Sequence, residues 1–427
     1  MVGMILLGTM LLLFILSVPV AFAVGLTSLA YMVFSGQVPL PFLAQRMVAG
    51  VDSFPLLAIP FFLLAGELMS AGGITKRLVR FASALVGHIT GGLANVVIVA
   101  NMVMAGMSGS AVADASAAGA ILTPPMLRSG YPAGFTAAVN ASAATVGPVI
   151  PPSINFVIYG SIAEVSTGRL FAGGILPGTL MGLYMMGVSY VMAKRGHFPK
   201  APRVCLRELW DATRGAVAPM LMPLTVMGGI IGGVFTPTES AVVAAFYALV
   251  LGVLYRELSL KDLPQVFGKV MVNSSVVLFI TSVFAVGGWI VAYEKLPQAL
   301  TGLFAPIAKN PVMVLLLINV IFLVLGCFMD ALPLLIVVVP MFLPVVREAG
   351  IDLIHFGVLI TLNLMIGLLT PPVGMLMYIA CRLANVGIDQ FVKYAWPFIL
   401  ALIVVLGMVT YIPETVLFIP RLLMGTR

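Results

Sequence analysis

The feature of this sequence that most constrains its structure is an almost uninterrupted succession of apolar segments, most of them about as long as a membrane-spanning helix. Of the 427 residues, 61% are hydrophobic and 9% are charged, whereas a soluble domain carries about a quarter charged residues. Lipid rather than water must therefore be the main solvent of this chain. Since a helix needs about 20 apolar residues to cross the hydrocarbon core, we predict apolar helical segments at residues 2–18, 19–35, 54–72, 90–106, 110–127, 132–163, 170–193, 214–235, 237–255, 268–293, 312–326, 330–346, 355–385 and 393–416.

Other classes of protein find little support in the composition. The three cysteines are scattered and the three histidines form no metal-binding pair, so neither a disulfide framework nor a zinc site is expected. The net charge of +7 comes from basic residues between the apolar segments, which favours a role in membrane topology over nucleic-acid binding. Residues 1–35 lack the basic start of a signal peptide, and their apolar run is too long for one. We expect them to be mature membrane helix, and whether they cross once or twice stays open.

Six of the segments depart from a simple span. Residues 106–110 form a tight turn between two short segments, and residues 326–330 do the same between another two. We name these turns tip 1 and tip 2, and predict that each closes a re-entrant hairpin. Two longer segments are interrupted by Gly and Pro at residues 146–152 and 367–372, which we name break 1 and break 2.

These features repeat along the chain. A shift of 220 positions aligns tip 1 with tip 2 and break 1 with break 2, and most of the identical pairs are Gly or Pro. We predict a first repeat at 1–200, with its hairpin at about 90–127 and its broken helix at 132–163. A cytoplasmic linker at 201–213 follows. The second repeat is then 214–427, with its hairpin at about 312–346 and its broken helix at 355–385.

The distribution of basic residues predicts how the repeats are oriented. With the N-terminus outside, fifteen of the 22 basic residues fall on one side, which is then cytoplasmic. The first repeat starts outside and ends inside, and the second does the reverse, as in the inverted repeats of transporters. The predicted fold is an all-α integral membrane protein with about ten transmembrane helices and two re-entrant hairpins. The basic residues on that side are Lys76, Arg77, Arg80, Arg128, Lys194, Arg195, Lys200, Arg203, Arg207, Arg214, Arg256, Lys261, Lys269, Arg382 and Lys393.

The tips and breaks are the candidate functional site. Broken helices occur at membrane depth only where they are buried in protein or line a cavity. Half-helix N-termini suit a carboxylate, and unwound carbonyls suit Na⁺. Both clusters offer hard oxygen ligands, which an alkali cation prefers. The polar side chains that supply them are Ser108, Ser110, Thr145, Ser153, Asn140 and Asn155 in the first half, and Asp330, Thr370 and Asn363 in the second.

Several of these residues also admit a purely structural role. Small and hydroxyl side chains in membrane helices often serve close helix packing. Asp330 is a carboxylate at membrane depth, which makes it a functional candidate by default. Asp114 could help to bind an ion or could cap its helix. Glu239, in the sequence Thr-Pro-Thr-Glu, is expected to cap a helix start.

The order of these motifs resembles a known family. The stretch from Met107 to Gly119 leads to the Gly-Pro-Val-Ile-Pro-Pro-Ser sequence that ends at Ser153, and 232–240 reads Gly-Gly-Val-Phe-Thr-Pro-Thr-Glu-Ser. Together they are similar to the large, DctM-like membrane subunit of TRAP (tripartite ATP-independent periplasmic) transporters, over nearly the whole chain. The resemblance implies an elevator-type fold in which a transport domain with two hairpins moves against a scaffold. It also implies a multi-pass protein of the bacterial inner membrane.

The resemblance further implies ligands and partners. Two or more Na⁺ ions would be coupling ions, a small organic acid such as a C4-dicarboxylate or a sialic acid would be the substrate, and a periplasmic binding protein would deliver it. A small four-helix membrane subunit is expected as a separate chain. The expected substrate contacts are Ser108, Ser110, Ser153 and Asp330. The expected Na⁺ ligands are Ser108, Ser110, Thr145, Gly147, Gly326, Cys327, Asp330, Gly367 and Thr370.

Three alternatives stay open from the residues. The same fold could couple to H⁺, with Asp330 as the relay. A channel would also use hairpins and broken helices. An intramembrane serine protease is suggested by Gly106-Met107-Ser108-Gly109, but such an enzyme needs a histidine base within reach, and no histidine lies at clear membrane depth.

Overall fold

The computed structural model describes residues 9, 12, 13, 16, 18–36, 38–199 and 204–425. Throughout these residues the regular structure is helical, as the apolar segments predict, and a 3₁₀ turn at Phe54–Leu57 precedes α3. The predicted segment 2–18 lies almost entirely outside the described residues. The helices are α1 Val20–Ser35, α2 Pro41–Val51, α3 Ala58–Ala71, α4 Ile74–Val86, α5 Gly92–Ser108, α6 Ala111–Arg128, α7 Ala133–Ala144, α8 Ile154–Ala163, α9 Thr167–Arg195, α10 Leu206–Ile231, α11 Pro237–Leu254, α12 Leu263–Tyr293, α13 Leu296–Phe304, α14 Pro311–Phe328, α15 Ala331–Glu348, α16 Leu353–Gly367, α17 Met375–Ala384, α18 Ile388–Tyr411 and α19 Glu414–Met424.

The helices have the lengths that a bilayer demands. Among the described residues, eight helical stretches are long and apolar enough to cross a membrane: Phe54–Ala71, α9, α10, α11, α12, α14, α15 and α18. Shorter apolar helices include α8, which follows break 1, and α16 and α17, which flank break 2. The prediction of an all-α membrane protein is confirmed.

The apolar segments did not predict four helices, because these helices are too short to span a membrane. They are α2, α4, α13 and α19. The amphipathic pattern of α4 explains its position, since Ile74, Leu78 and Ala82 are buried whereas Lys76 and Arg80 are exposed. A further difference concerns the stretch 201–213. Helix α10 already begins at Leu206, inside the predicted linker, because its first turns are polar and fall below the hydropathy of a span.

The helix pairs follow the same 220-residue shift as the motifs. Helix α4 corresponds to α13, α9 corresponds to α18, and the pair α2 and α3 corresponds to the single long α12. The correspondence therefore includes short helices that the motif comparison did not use.

Both predicted hairpins and both predicted helix breaks are present as helix–turn–helix units. At tip 1, Gly109 adopts a left-handed conformation with φ +60° and Ser110 caps α6. At tip 2 the chain is extended at Met329, and Asp330 caps α15. Break 1 separates α7 from α8, and break 2 separates α16 from α17.

The two halves interlock, and this arrangement positions the site. Helix α8 of the first half packs against α15 and α16 of the second, and the Tyr159 hydroxyl donates to the carbonyl of Leu353 at 2.7 Å. Helix α17 of the second half packs against α6 and α7 of the first, where Leu383 lies over Gly119. Each broken helix therefore spans from its own hairpin to the hairpin of the other half, and all four motifs belong to one core.

A pair of helices borders this core. Helix α11 packs along α3 and begins with the predicted cap, in which Thr236 accepts from the backbone of Glu239 and the Glu239 carboxylate accepts from the backbone of Thr236 at 2.7 Å. On its other side, α3 reaches tip 1, where Gly66 lies close to the Cα of Ser108.

Candidate substrate and cation site

The first cluster is built around the carboxylate of Asp114. Its side chain is fully buried, and its Oδ1 accepts a hydrogen bond from the Ser108 hydroxyl at 2.5 Å. The Ser108 hydroxyl in turn accepts from the backbone N–H of Ser110 at 3.3 Å. The helix cap is Ser110, whose hydroxyl accepts from Ala113 at 3.4 Å. Of the two roles considered for Asp114, capping is therefore taken by Ser110.

Break 1 comes directly against this carboxylate. A Cβ placed on Gly147 would lie 2.4 Å from Asp114 Oδ2 and 3.2 Å from the carbonyl oxygen of Ala144. Only glycine leaves room for this approach. The Oδ2 atom is buried and has no hydrogen-bond partner.

Tip 1 and break 1 also meet through their backbones. A Cβ on Gly109 would lie 2.8 Å from the Pro152 carbonyl oxygen and 3.3 Å from Ser153 Cα. The Ser153 hydroxyl donates to Pro148 at 2.5 Å and accepts from Phe156 at 3.2 Å, so it closes the loop of the break and caps α8. Thr145 donates to the carbonyl of Ser142 at 2.6 Å, within its own turn.

Other polar atoms around the first cluster are buried without partners. Asn140 donates to the Ala115 carbonyl at 2.9 Å, which ties α7 to α6. Its Oδ1 has no partner, nor have the hydroxyl of Ser142 and the amide nitrogen of Asn155. Buried polar atoms are normally hydrogen-bonded, so the region around break 1 has unused capacity for polar ligands.

The second cluster is a contact between two glycines. A Cβ on Gly367 would lie 2.6 Å from both Cα and C of Gly326 and 2.7 Å from its carbonyl oxygen. Next to it, the backbone N–H of Val373 donates to the carbonyl of Cys327 at 3.0 Å. Tip 2 and break 2 are thus joined backbone to backbone.

The predicted side chains of the second cluster bond locally. Asp330 accepts from its neighbour Ala331 at 2.7 Å, and Thr370 donates to the Ile366 carbonyl at 2.9 Å. The thiol of Cys327 donates to Leu323 at 3.1 Å. The side chains of Cys327 and Thr370 also bond to each other, which adds a side-chain contact between the tip and the break.

A buried polar network supports the second cluster from behind. Asn363, one turn before Gly367, donates to Asn319 on α14 through both the backbone oxygen at 3.0 Å and the side-chain oxygen at 2.9 Å. Asn319 donates to Thr410 on α18 at 2.9 Å. The network joins the hairpin arm, the broken helix and α18.

The two clusters differ in exposure and in charge. The residues of break 1 are buried apart from a half-buried Ile150, whereas Pro371, Pro372 and Val373 are exposed. The 220-residue shift places the apolar Leu334 at the position of Asp114. Helix α17 begins after Gly374 without a side-chain cap, in contrast to α6, α8 and α15.

The structure therefore brings together the predicted Ser108 and Gly147 through Asp114, and the predicted Gly326 and Gly367 directly. Sequence reasoning had left the role of Asp114 open. Gly147, which contacts Asp114, is 33 positions away in the sequence. The sequence feature that could have indicated a role for Asp114 is the presence of a carboxylate inside an alanine-rich apolar segment. Oxygen-rich clusters at interrupted helices, paired across the two halves of a helical membrane protein, are typical of secondary transporters.

Comparison with known proteins identifies the family. The family described as "Tripartite ATP-independent periplasmic transporter, DctM component" matches residues 7–415, so the chain belongs to the large permease subunits of TRAP transporters. It is 40% identical over 408 residues to the sialic acid TRAP transporter large permease protein SiaM of Vibrio cholerae, covering 95% of this chain and 96% of that protein. It is 39% identical over 380 residues to the C4-dicarboxylate TRAP transporter large permease protein DctM of Pseudomonas aeruginosa, covering 89% of each.

A solved structure shares the fold. The YdaH transporter of Alcanivorax borkumensis superposes with a TM-score of 0.61 at 16% identity, over 87% of this chain and 88% of that one. The family is one of transport permeases, so the chain is a permease and not an enzyme. The Gly-x-Ser-Gly sequence at tip 1, which suggested a protease, belongs to the cluster around Asp114.

Proposed function

We propose that this permease imports a small organic acid by Na⁺ symport, with one cation cluster at tip 1 and break 1 and a second at tip 2 and break 2. The observation that carries the proposal is the close approach of each tip to its break, at Gly147 against Asp114 and at Gly367 against Gly326. Both contacts gather carbonyl or carboxylate oxygens where helices are unwound, which is the environment in which transporters coordinate Na⁺. The expected ligands beside these glycines are Ser108, Ser110, Thr145, Cys327, Asp330 and Thr370.

The substrate carboxylate is assigned to the side of the second break. Helix α17 has no side-chain cap and follows three exposed residues, 371–373. The N–H of Leu376 donates to the carbonyl of Leu368 at 3.2 Å, so the positive end of the dipole and the other N–H groups of the first turn favour an anion. Asp330 would then face polar groups of the substrate, and Ser108, Ser110 and Ser153 would approach it from the first half. We take a C4-dicarboxylate or a sialic acid as the substrate class, because these are the substrates in the names of two similar permeases.

Charge balance explains why cations would be needed. Moving one charge across 100 mV is worth about 2.3 kcal/mol, and an organic anion enters a cell against an inside-negative potential. One Na⁺ cancels the charge of a monoanion, and two make its import electrically favourable. Proton coupling through Asp330 is the alternative within the same fold.

The remaining parts of the proposal concern partners and location. The family is described as one component of a tripartite periplasmic transporter, so we assign a periplasmic binding protein as the donor of substrate and a small four-helix membrane subunit as a further partner. The complex would lie in the bacterial inner membrane. The core of hairpins and broken helices would move as a transport domain against the scaffold that contains α3 and α11.

Uptake into proteoliposomes tests this proposal. Vesicles containing the permease and its small subunit, with the binding protein outside, should accumulate one member of a panel of radiolabelled organic acids when a Na⁺ gradient is imposed. Omission of the binding protein or replacement of Na⁺ by K⁺ should abolish accumulation. Accumulation that follows a pH gradient and ignores Na⁺ would assign the coupling to protons, and accumulation without the binding protein would remove the tripartite assignment.

A further inference from the structure

Two segments of the chain pass between the scaffold and the core of hairpins and broken helices on the side that carries most basic residues. Connector 1, residues 87–91, joins α4 to α5, and connector 2, residues 196–205, joins α9 to α10. Helix α4 belongs with the scaffold, because Arg77 lies 3.8 Å from the ring centroid of Tyr255 and pairs with Glu257, directly after α11. Helix α10 packs against α4 and α11. A movement of the core against the scaffold must therefore be absorbed by these connectors.

The hydroxyl of Tyr131 contacts both connectors at one point. Tyr131 lies just before α7 and is 3% exposed, and its hydroxyl donates to the carbonyl of Pro199 in connector 2 at 2.9 Å. The backbone N–H of Leu93, in the first turn of α5, donates to the same hydroxyl where connector 1 ends. Because the first N–H groups of a helix have no partner within that helix, this bond also caps α5.

An aromatic cluster attaches connector 2 to the core around this hydroxyl. The ring centroid of Phe198 lies 5.3 Å from that of Tyr131 and 4.9 Å from that of Phe135. Phe135 is fully buried and also packs against Tyr394 and Phe398 of α18, with centroids 6.2 and 6.1 Å away. The first residues of connector 2 are thus packed on α7 and α18, which both belong to the core.

Connector 1 is tied to the core at its last residues. Gly91 has φ +77°, and a Cβ there would lie 2.6 Å from the Cβ of Ala193 near the end of α9. The side-chain amide of Asn95 donates to the carbonyl of Thr90 at 3.3 Å. Since connector 2 follows α9, both connectors leave the core at the same corner.

We infer that Tyr131 is a positioning residue for transport, whose hydroxyl fixes the points at which both connectors leave the core. The inference rests on the proposed movement of the core against the scaffold. With the anchor in place, the core ends at Gly91 on one connector and at Pro199 on the other. Without it, the connectors are longer and less constrained, and the core can adopt orientations that do not lead to transport. Tyr131 is remote from the proposed ligands, because the 12 residues of α7, about 18 Å long, separate it from break 1.

Hydrogen–deuterium exchange of the detergent-solubilised complex with its small subunit tests the anchor without any transport. Tyr131→Phe keeps the ring and removes the hydroxyl. Amide exchange in peptides covering residues 89–95 should then become at least about threefold faster, because the N–H of Leu93 loses its acceptor. Tyr394→Phe is the matched control and should exchange like the parent. Its ring belongs to the same cluster, and its hydroxyl takes part in none of the hydrogen bonds of the described residues.

Uptake into proteoliposomes tests the positioning role. In Tyr131→Phe the initial rate at saturating substrate and Na⁺ should fall by at least about threefold, while both half-saturating concentrations stay at their parental values. Phe198→Leu keeps the hydroxyl but removes the aromatic packing of connector 2, so it should lower the rate in the same way. This second variant answers the question if Tyr131→Phe does not fold. Tyr394→Phe should transport like the parent.

The outcomes are distinguishable. Parental exchange over residues 89–95 in Tyr131→Phe would mean that the hydroxyl is no anchor, and the inference would be wrong. Faster exchange with unchanged uptake would also contradict it, because the hydroxyl would then have a structural role only. A raised half-saturating Na⁺ concentration at an unchanged maximal rate would assign Tyr131 to cation binding instead. Absence of Na⁺-driven uptake by the parent would contradict the proposed function, and the exchange comparison would still decide whether Tyr131 is an anchor.

Discussion

At the scale of single residues, the contact between Gly326 and Gly367 depends on the absence of both side chains. Any Cβ on Gly367 meets backbone atoms of Gly326 at 2.6 Å, and backbone cannot rotate away as a flexible side chain can. The carbonyl of Gly326 lies in the same contact, so a displacement of tip 2 also moves an oxygen of the second cluster.

Gly367→Ala should therefore separate tip 2 from break 2 and weaken Na⁺-dependent uptake by at least about tenfold, which corresponds to about 1.4 kcal/mol. The measurement is the Na⁺ dependence of the initial uptake rate in proteoliposomes. Gly407→Ala is the matched control, because a Cβ there has no neighbour within 4 Å and alanine favours helix. Equal uptake by Gly367→Ala and Gly407→Ala would argue against the second cluster.

The same glycines show what can be predicted from the sequence and what cannot. The glycines of tips and breaks could be selected because a repeat places the same residue type at Gly147 and Gly367, and such positions are where backbones approach. The partner of each glycine could not be predicted. One meets a carboxylate and the other meets a second glycine, and that difference depends on how helices far apart in sequence pack.

At the scale of elements, the hydrogen-bonded network of Asn319, Asn363 and Thr410 connects α14, α16 and α18. Bonds from Asn363 and Asn319 cross between helices, whereas several buried hydroxyls donate within their own helical turn, as Thr361 does to Gly357 at 2.9 Å. The network stands one turn from Gly367, so it fixes the broken helix relative to the hairpin arm that carries Gly326.

Asn363→Ala should lower the free energy of unfolding by about 1–3 kcal/mol, because it leaves the buried acceptors of Asn319 without their donor. Asn101→Ala is the control: Asn101 is also buried, but its amide donates to Val97 in its own helix at 2.8 Å. The check is the melting temperature of both variants in KCl. If the melting temperature falls as much for Asn101→Ala as for Asn363→Ala, the hydrogen bonds between helices contribute no more to stability than a bond within one helix.

The long apolar elements and the breaks were predictable, whereas the short helices were not. Length and hydropathy identify a span, and Gly and Pro identify its interruption. Helix α4 needed a different signal, the amphipathic spacing of Ile74, Leu78 and Ala82. Helix α10 begins before its apolar stretch, in polar turns that contain the exposed Trp210.

At the scale of the whole molecule, the interlocking of the two halves gives the site its asymmetry. Tip 1 and break 1 are buried around a carboxylate, and break 2 is exposed beside an uncapped helix start. A repeat that placed two similar motifs in sequence has thus produced two different environments. We assign the buried one to a cation held by the protein and the exposed one to a cation and an anion that arrive together.

Simultaneous measurement of ²²Na⁺ and radiolabelled substrate entering the same proteoliposomes tests this account most directly. We expect Na⁺ to enter with the substrate in a fixed ratio of about two or more, as two cation sites require; this ratio makes the import of a monoanion electrically favourable. Asp114→Asn and Gly367→Ala should reduce both fluxes, and Asp389→Asn, which removes an exposed carboxylate at the start of α18, should leave them unchanged. Substrate entry without accompanying ²²Na⁺, at the same rate in all these variants, would contradict the assignment of the two clusters as cation sites.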